Sequence, residues 1–187
     1  NLMKSESPGP SVSKLVPKVQ STAKILYTIY IILTIVEIIF LLIGKMPLFD
    51  TLCLSFGTAG TGGFGIKNDS IASYSTYNQV VITVFMILFG INFNAYYLLL
   101  TKKVMQAAKN EEVRYYLGII GLAIVAIAIN TREMFTSFGR AFQQAAFQVG
   151  SIITTTGYAT TDFNVWPVFS KTILVILMFV GACAGST

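Results

Sequence analysis

Apolar and polar residues alternate along this chain in long blocks. Ala23 to Ile43 is an apolar run whose one charge away from its ends is Glu37. Its length matches the roughly twenty residues a helix needs to cross a hydrocarbon core. Gly44-Lys45-Met46-Pro47 ends it. Leu48 to Ala59 is a second apolar helix, at 1.5 Å rise per residue long enough to reach about halfway across. Pro47 suits its start, where a missing N–H does no harm. Gly60-Thr61-Gly62-Gly63-Phe64 follows, then a polar stretch from Lys67 to Asn78. Val80 to Leu100 reads as a full span with Gly90, Asn92 and Asn94 inside it, ending at Lys102-Lys103.

The same order then recurs. A polar stretch over 104–112 leads into a span from Val113 to Ile129, with Arg114 and Tyr115 at its start and Thr131-Arg132-Glu133 closing it. Ser137 to Ile152 reads as a second half-length helix with Gln143, Gln144 and Gln148 on a polar side. Thr154-Thr155-Thr156-Gly157-Tyr158 follows, then a polar stretch with Asp162 and Asn164. Trp166 and Pro167 suit an interfacial aromatic and a helix start, and Val168 to Val180 begins a last span. The expected fold is therefore an all-α integral membrane protein of tandem span–half-helix–span repeats. Residues 1–20 read as a connector on the membrane surface, 21–103 as one repeat and 104–187 as the next, cut off within its last helix.

Irregular backbone at membrane depth is tolerated only where it is buried in protein or lines a watery path. Two glycine-bearing segments behind half-helices therefore call for a function, and a row of backbone carbonyls can replace the water shell of a potassium or sodium ion. Glycine lets the carbonyls turn inward, and each half-helix presents its partially negative C-terminus to the ion. Gly60, Thr61, Gly62 and Gly63, with Thr154, Thr155, Thr156 and Gly157, are the candidate ion-binding residues. Thr155 and Thr156 offer hydroxyls besides their carbonyls, and Phe64 and Tyr158 are expected to wedge the loops against neighbouring helices.

Composition removes rival classes. The chain is 54% hydrophobic and 11% charged, against about 25% charged in soluble domains. Its net charge of +5 sits at the ends of apolar runs rather than on an aromatic-interleaved face, so nucleic acid is not the expected partner; lipid is. With no histidine the usual general base and commonest zinc ligand are missing. With no serine–base pair or carboxylate dyad visible either, an enzyme is not expected. Cys53 and Cys183 read as small buried hydrophobes rather than a disulfide. Gly60, Gly62 and Gly65 match the dinucleotide fingerprint, but that needs a preceding strand and a βαβ unit. The start at Asn1 and the end at Gly185-Ser186-Thr187 suggest a piece of a longer protein.

Basic residues orient the spans. Lys4, Lys14, Lys18, Lys24, Lys102, Lys103, Lys109 and Arg114 share one side, while Lys45, Lys67, Arg132, Arg140 and Lys171 share the other. The larger group marks the cytoplasm, so both half-helices enter from the outer face.

At its glycine segments the sequence resembles the Trk/Ktr/HKT superfamily of potassium transporters, and within it the bacterial Trk membrane subunits. Ala59 to Gly65 is similar to the second pore segment, Thr154 to Thr161 to the third, and Gly181-Ala182-Cys183-Ala184-Gly185-Ser186-Thr187 to the small-residue break of the third repeat. Glu6-Ser7-Pro8-Gly9-Pro10 is similar to the connector after the first repeat. The resemblance implies a potassium-channel-like pore domain of four repeats in a bacterial cell membrane. One filter glycine would come from each repeat, here Gly63 and Gly157, with potassium as substrate held at the carbonyls of Gly63, Thr156 and Gly157. Gly181, Ala182, Gly185 and Ser186 would form a movable loop obstructing the pore beneath the filter. The implied partners are the first and fourth repeats of the same protein, a second copy in a homodimer, and a cytosolic nucleotide-binding regulatory subunit. No bound cofactor is implied. Selectivity between potassium and sodium depends partly on the first repeat, which is not here. The alternative is a secondary transporter of another cation such as sodium, or of a small solute, for which inverted repeats are expected.

Three further residue groups stand out. Glu37 is an intramembrane carboxylate, either functional or paired with a Tyr or amide. Asn92 and Asn94 are expected to bond across helices or face an inner vestibule. Asp50 and Asp162 read as a helix cap and a turn residue, or as cation attractors at an outer mouth.

Overall fold

A computed structural model describes residues 19–100, 110–184 and 186. The connector with Glu6 to Pro10, the basic residues Lys4, Lys14, Lys18, Lys102, Lys103 and Lys109, and Gly185 lie outside the described residues. The described elements are α-helices and two short 3-10 turns. Helix α1 spans Val19–Ile43, α2 Leu48–Ala59, α3 Thr76–Phe89, α4 Phe93–Leu100, α5 Glu111–Thr131, α6 Phe138–Ile153 and α7 Val168–Val180.

Helix α1 buries a narrow stripe through Thr34, Glu37 and Leu41 while Ile31, Ile32, Ile35, Ile39 and Phe40 stay exposed. That is the inverse of a soluble surface helix and suits a lipid solvent. Stretches Ala23–Ile43 and Glu111–Met134 are each long and apolar enough to cross a membrane. Helix α2 begins after Pro47, whose carbonyl accepts the Thr51 N–H at 2.9 Å, and ends at Ala59 as expected. Ser137 caps α6 by accepting the Arg140 N–H at 3.2 Å, so the helix itself starts at Phe138, and it runs one residue beyond Ile152.

The stretch from Val80 to Leu100 is not one straight span. It breaks after Phe89 and turns by 91° into α4. The cause is local. A Cβ on Gly90 would collide with the Tyr116 hydroxyl, and Asn92 Oδ1 accepts the Asn94 N–H at 2.9 Å, starting a new helix. Both residues are visible in the sequence as interruptions of the apolar run.

Two hydrophobic clusters hold the helices. One gathers Leu41, Leu54, Ile82, Met86 and Phe89 from α1 to α3 and takes in Phe147 and Tyr158. The other gathers Tyr116, Ile127, Val149, Ile153, Trp166 and Leu174 from α5 to α7. Helices α3 and α6 pack directly on each other, which joins the two groups of helices.

Candidate functional site

The segment after α2 and the segment after α6 share one backbone conformation. Each half-helix closes on a residue near the helical region: Gly60 at φ −90°, ψ 9° and Thr154 at φ −85°, ψ 0°. The next residue is left-handed in both, Thr61 at φ 49° and Thr155 at φ 58°. Two residues on, Gly63 and Gly157 have φ 66° and 89°. A threonine with positive φ is strained by about 1–3 kcal/mol and persists only where its surroundings hold it. Here the turn bonds do so. Gly60 and Thr154 donate to Phe56 and Gly150, and Thr61 and Thr155 donate to Thr58 and Ile152.

The segments also meet. A Cβ on Gly63 would strike the Thr156 carbonyl oxygen, so Gly63 is glycine for space as well as conformation. Ile71 N–H donates to the Ala159 carbonyl at 3.0 Å, and Ala159 N–H donates to Ser70 Oγ at 3.2 Å. The turn at Ser70 and Ile71 therefore packs against the chain just past Gly157. The carbonyls of Gly63, Thr156 and Gly157 accept no backbone hydrogen bond among the described residues. Gly157 is exposed, and Thr154 and Thr156 are buried. The Thr156 Oγ1 lies 2.8 Å from that of Thr154, which also bonds the Gly150 carbonyl at 2.7 Å, so the Thr156 proton is committed to Thr154 while its oxygen keeps its lone pairs.

The two aromatic residues differ. Tyr158 is buried against α2 and donates its hydroxyl to the Leu54 carbonyl at 3.2 Å. A side chain at Gly57 would collide with that hydroxyl. Phe64 is 85% exposed and does not wedge against any described helix. Among the described residues no helix offers Phe64 a socket like that between Leu54 and Gly57.

The glutamines of α6 do not make an outward polar face. Gln144 accepts from Thr160 Oγ1, and Gln148 donates to the Thr161 carbonyl at 3.2 Å, so both are buried struts beneath the strand that follows Gly157. Gln143 donates to Gln79 at 2.8 Å and accepts from Arg140 at 2.7 Å. Gln79 in turn faces the carbonyls of Ile71, Ala72 and Tyr74. Asp50 lies in the first turn of α2 and accepts the Tyr74 hydroxyl at 2.7 Å. Burial, and next that bond, push the Tyr74 hydroxyl up, so it remains the donor. Asp162 caps a 3-10 turn by accepting the Asn164 N–H.

Glu37 is fully buried, and neither of its oxygens has a hydrogen-bond partner among the described residues. Its nearest polar neighbour is the Thr58 hydroxyl in the last turn of α2, which donates instead to the Leu54 carbonyl at 2.8 Å, and the Ser55 hydroxyl of the same helix is also buried and unpaired. The expected Tyr or amide partner is not among the described residues.

Below the segments, α7 ends at Gly181 with φ 69°. Cys183 N–H donates to the Gly90 carbonyl at 3.1 Å. Ala184 N–H donates to Glu112 Oε1, and Asn92 Nδ2 donates to Glu112 Oε2 at 3.0 Å. Asn92 thus bonds across helices as expected, while Glu112 was hidden in a charged stretch that reads as loop. The cysteines Cys53 and Cys183 are both free.

Comparison with known proteins places this geometry. Residues 1–187 match the family described as TrkH, cation transport protein. The Trk system potassium uptake protein TrkH of Vibrio parahaemolyticus is 35% identical, and that of Salmonella typhimurium 31%, each across 100% of this chain and 40% of its own length. The crystal structure of the potassium transporter TrkH from Vibrio parahaemolyticus superposes with a TM-score of 0.85 at 31% identity, covering 96% of this chain and 40% of that one. The chain thus spans about two fifths of the length of these relatives.

Proposed function

This chain belongs to the TrkH family of cation transport proteins, and from that membership we propose that it forms half of a potassium-selective filter and part of the gate beneath it. The observation that carries the reading is the shared conformation of the two segments, left-handed at Thr61 and Thr155 and again at Gly63 and Gly157. Repetition of a strained turn behind both half-helices supports the reading, because it gives the two segments equivalent carbonyls of the kind that can dehydrate an ion. Potassium is the proposed substrate, held at the carbonyls of Gly63, Thr156 and Gly157, with Gly60, Thr61, Gly62, Thr154 and Thr155 shaping the path.

The contacts also suggest how the ring closes. Tyr158 docks back onto the half-helix before it in sequence, and Gly63 abuts the segment after it. Phe64 is left exposed and a Cβ on Gly157 would meet nothing within 4 Å, so a preceding and a following repeat are the proposed neighbours. Residues Gly181, Ala182 and Ser186, with Gly185 between them, are the proposed gate loop; Gly181 departs from the helix with a φ suited to unwinding. The family resemblance adds a bacterial plasma membrane as location, a second copy as dimer partner, and a cytosolic nucleotide-binding subunit as regulator. A secondary transporter with inverted repeats fits less well, because the two segments repeat one backbone conformation in the same chain direction, each behind a half-helix.

Gly157→Asp in the full-length transporter tests the reading. In cells dependent on it for potassium, uptake at unchanged protein level should be lost. Unchanged uptake and unchanged ion preference would overturn it.

A further inference from the structure

We propose that Glu112 is a positioning residue that clamps the loop after α7 to the break between α3 and α4, and that releasing it opens the pore. The proposal rests on the reading of that loop as a gate. One carboxylate joins three elements. Glu112 sits in the first turn of α5, fixed there because Asn110 Oδ1 caps its N–H at 3.1 Å. Its Oε1 accepts the Ala184 N–H, and its Oε2 accepts Asn92 Nδ2 at 3.0 Å.

The third element is fixed independently. The Gly90 carbonyl, freed from the helix ladder by the bend, accepts Cys183 N–H at 3.1 Å. Tyr116, one turn along α5 from Glu112, donates to the Ile87 carbonyl at 3.1 Å just ahead of the break. The loop is thus held by two consecutive backbone donors, one on a helix break and one on a charge. Bonds to ionised acceptors are about twice as strong as neutral ones. The carboxylate therefore supplies the stronger of the two backbone anchors on a segment whose Cys183 and Ala182 also pack against the second hydrophobic cluster.

The donor pattern makes a specific rescue possible. Asn92 is committed at both ends, with Oδ1 accepting from Asn94 N–H and Nδ2 donating to Glu112. In Glu112→Gln the new amide meets that Nδ2 donor to donor. In Asn92→Asp two carboxylates face each other. Both substitutions together restore every bond. The introduced glutamine accepts from Ala184 N–H through its carbonyl oxygen and donates its amide to the introduced aspartate. The other oxygen of that aspartate accepts from Asn94 N–H.

The test is tracer rubidium flux into vesicles holding the full-length transporter without stimulating nucleotide. Each single variant should raise basal flux about tenfold with the potassium-to-sodium preference unchanged, and the double variant should return to the starting rate. Wild-type flux in Glu112→Gln, or a double variant that stays as leaky as the singles, overturns the clamp. A cysteine pair, Glu112→Cys with Ala184→Cys in a Cys183→Ser background, separates the two ideas. If the oxidised, demonstrably bridged pair blocks flux and reductant restores it, the gate reading stands whatever Glu112→Gln does. If the bridged pair leaves flux untouched, the gate reading fails and the clamp falls with it.

Discussion

The segments around Gly63 and Gly157 have one backbone and two environments. Both enter from a half-helix, turn left-handed at a threonine and again at a glycine. Around Gly157 the neighbouring polar side chains are engaged: Ser151 donates to the Tyr158 carbonyl at 2.6 Å, Thr154 pairs with Thr156, and Gln144 and Gln148 bond Thr160 and Thr161. Around Gly63 the aromatic is exposed, and Glu37 and Ser55 behind it are buried without partners among the described residues. The conformation is set by the turn and its glycine, so it repeats. The packing depends on which neighbour each segment meets, so it does not.

The largest expected effect comes from adding a methyl group at the glycines. Gly63→Ala combines positive-φ strain of about 1–3 kcal/mol with a collision against the Thr156 carbonyl. Gly157→Ala has the strain alone, since nothing described lies within 4 Å of its Cβ position. Both should cost potassium uptake in the full-length protein, with Gly63→Ala lowering the thermal midpoint further. Equal shifts at the two positions would show that another repeat crowds Gly157 as Thr156 crowds Gly63.

The aromatic pair comes next. Tyr158→Ala removes a buried ring and should cost about 3–5 kcal/mol, while Tyr158→Phe should cost about 1 kcal/mol for its bond to Leu54. On the ring reading, Phe64→Ala in the full-length transporter should approach the cost of Tyr158→Ala. A negligible cost, measured by denaturation in detergent, would mean that the two segments are not equivalent members of a ring.

How much of this was legible in the sequence follows the same division. Half-helix α2 and the ends of α1 were readable because Pro47, Gly44 and Gly60 punctuate an apolar pattern. The bend after Phe89 was readable in principle from Gly90 and Asn92, but their effect depends on Tyr116 from another helix. The glutamines of α6 were legible as a polar side, but not their partners; Gln144 and Gln148 bond Thr160 and Thr161 in the segment after Gly157. The fate of Phe64 and the bonds of Glu112 lay beyond any local pattern, because both are decided by residues far along the chain.

A smaller effect is expected at the register pair Gly57 and Ser151. Gly57 must be small to admit the Tyr158 hydroxyl, whereas position 151 carries a side chain that bonds the Tyr158 carbonyl. Ser151→Ala leaves that buried carbonyl unpaired and should cost about 1–3 kcal/mol. A loss below about 0.5 kcal/mol would show that a repeat outside this chain supplies a second donor there.

The smallest stability effect should be at Glu37, and its sign is the informative part. A buried polar group without a partner is a cost that folding has to overcome, so replacing it with an apolar residue of similar shape removes the cost along with the group. Glu37→Met should leave the thermal midpoint unchanged or raise it, because α1 buries position 37 between Thr34 and Leu41 against the last turns of α2. Breaking a paired carboxylate would instead lower stability by about 3–5 kcal/mol. A fall of that size would show that Glu37 has a partner in the full-length protein, which the Gly63 side would then share with the Gly157 side. If the midpoint holds and potassium uptake falls, the unpaired carboxylate belongs to transport, and the poorer packing behind Gly63 is the condition for keeping it there.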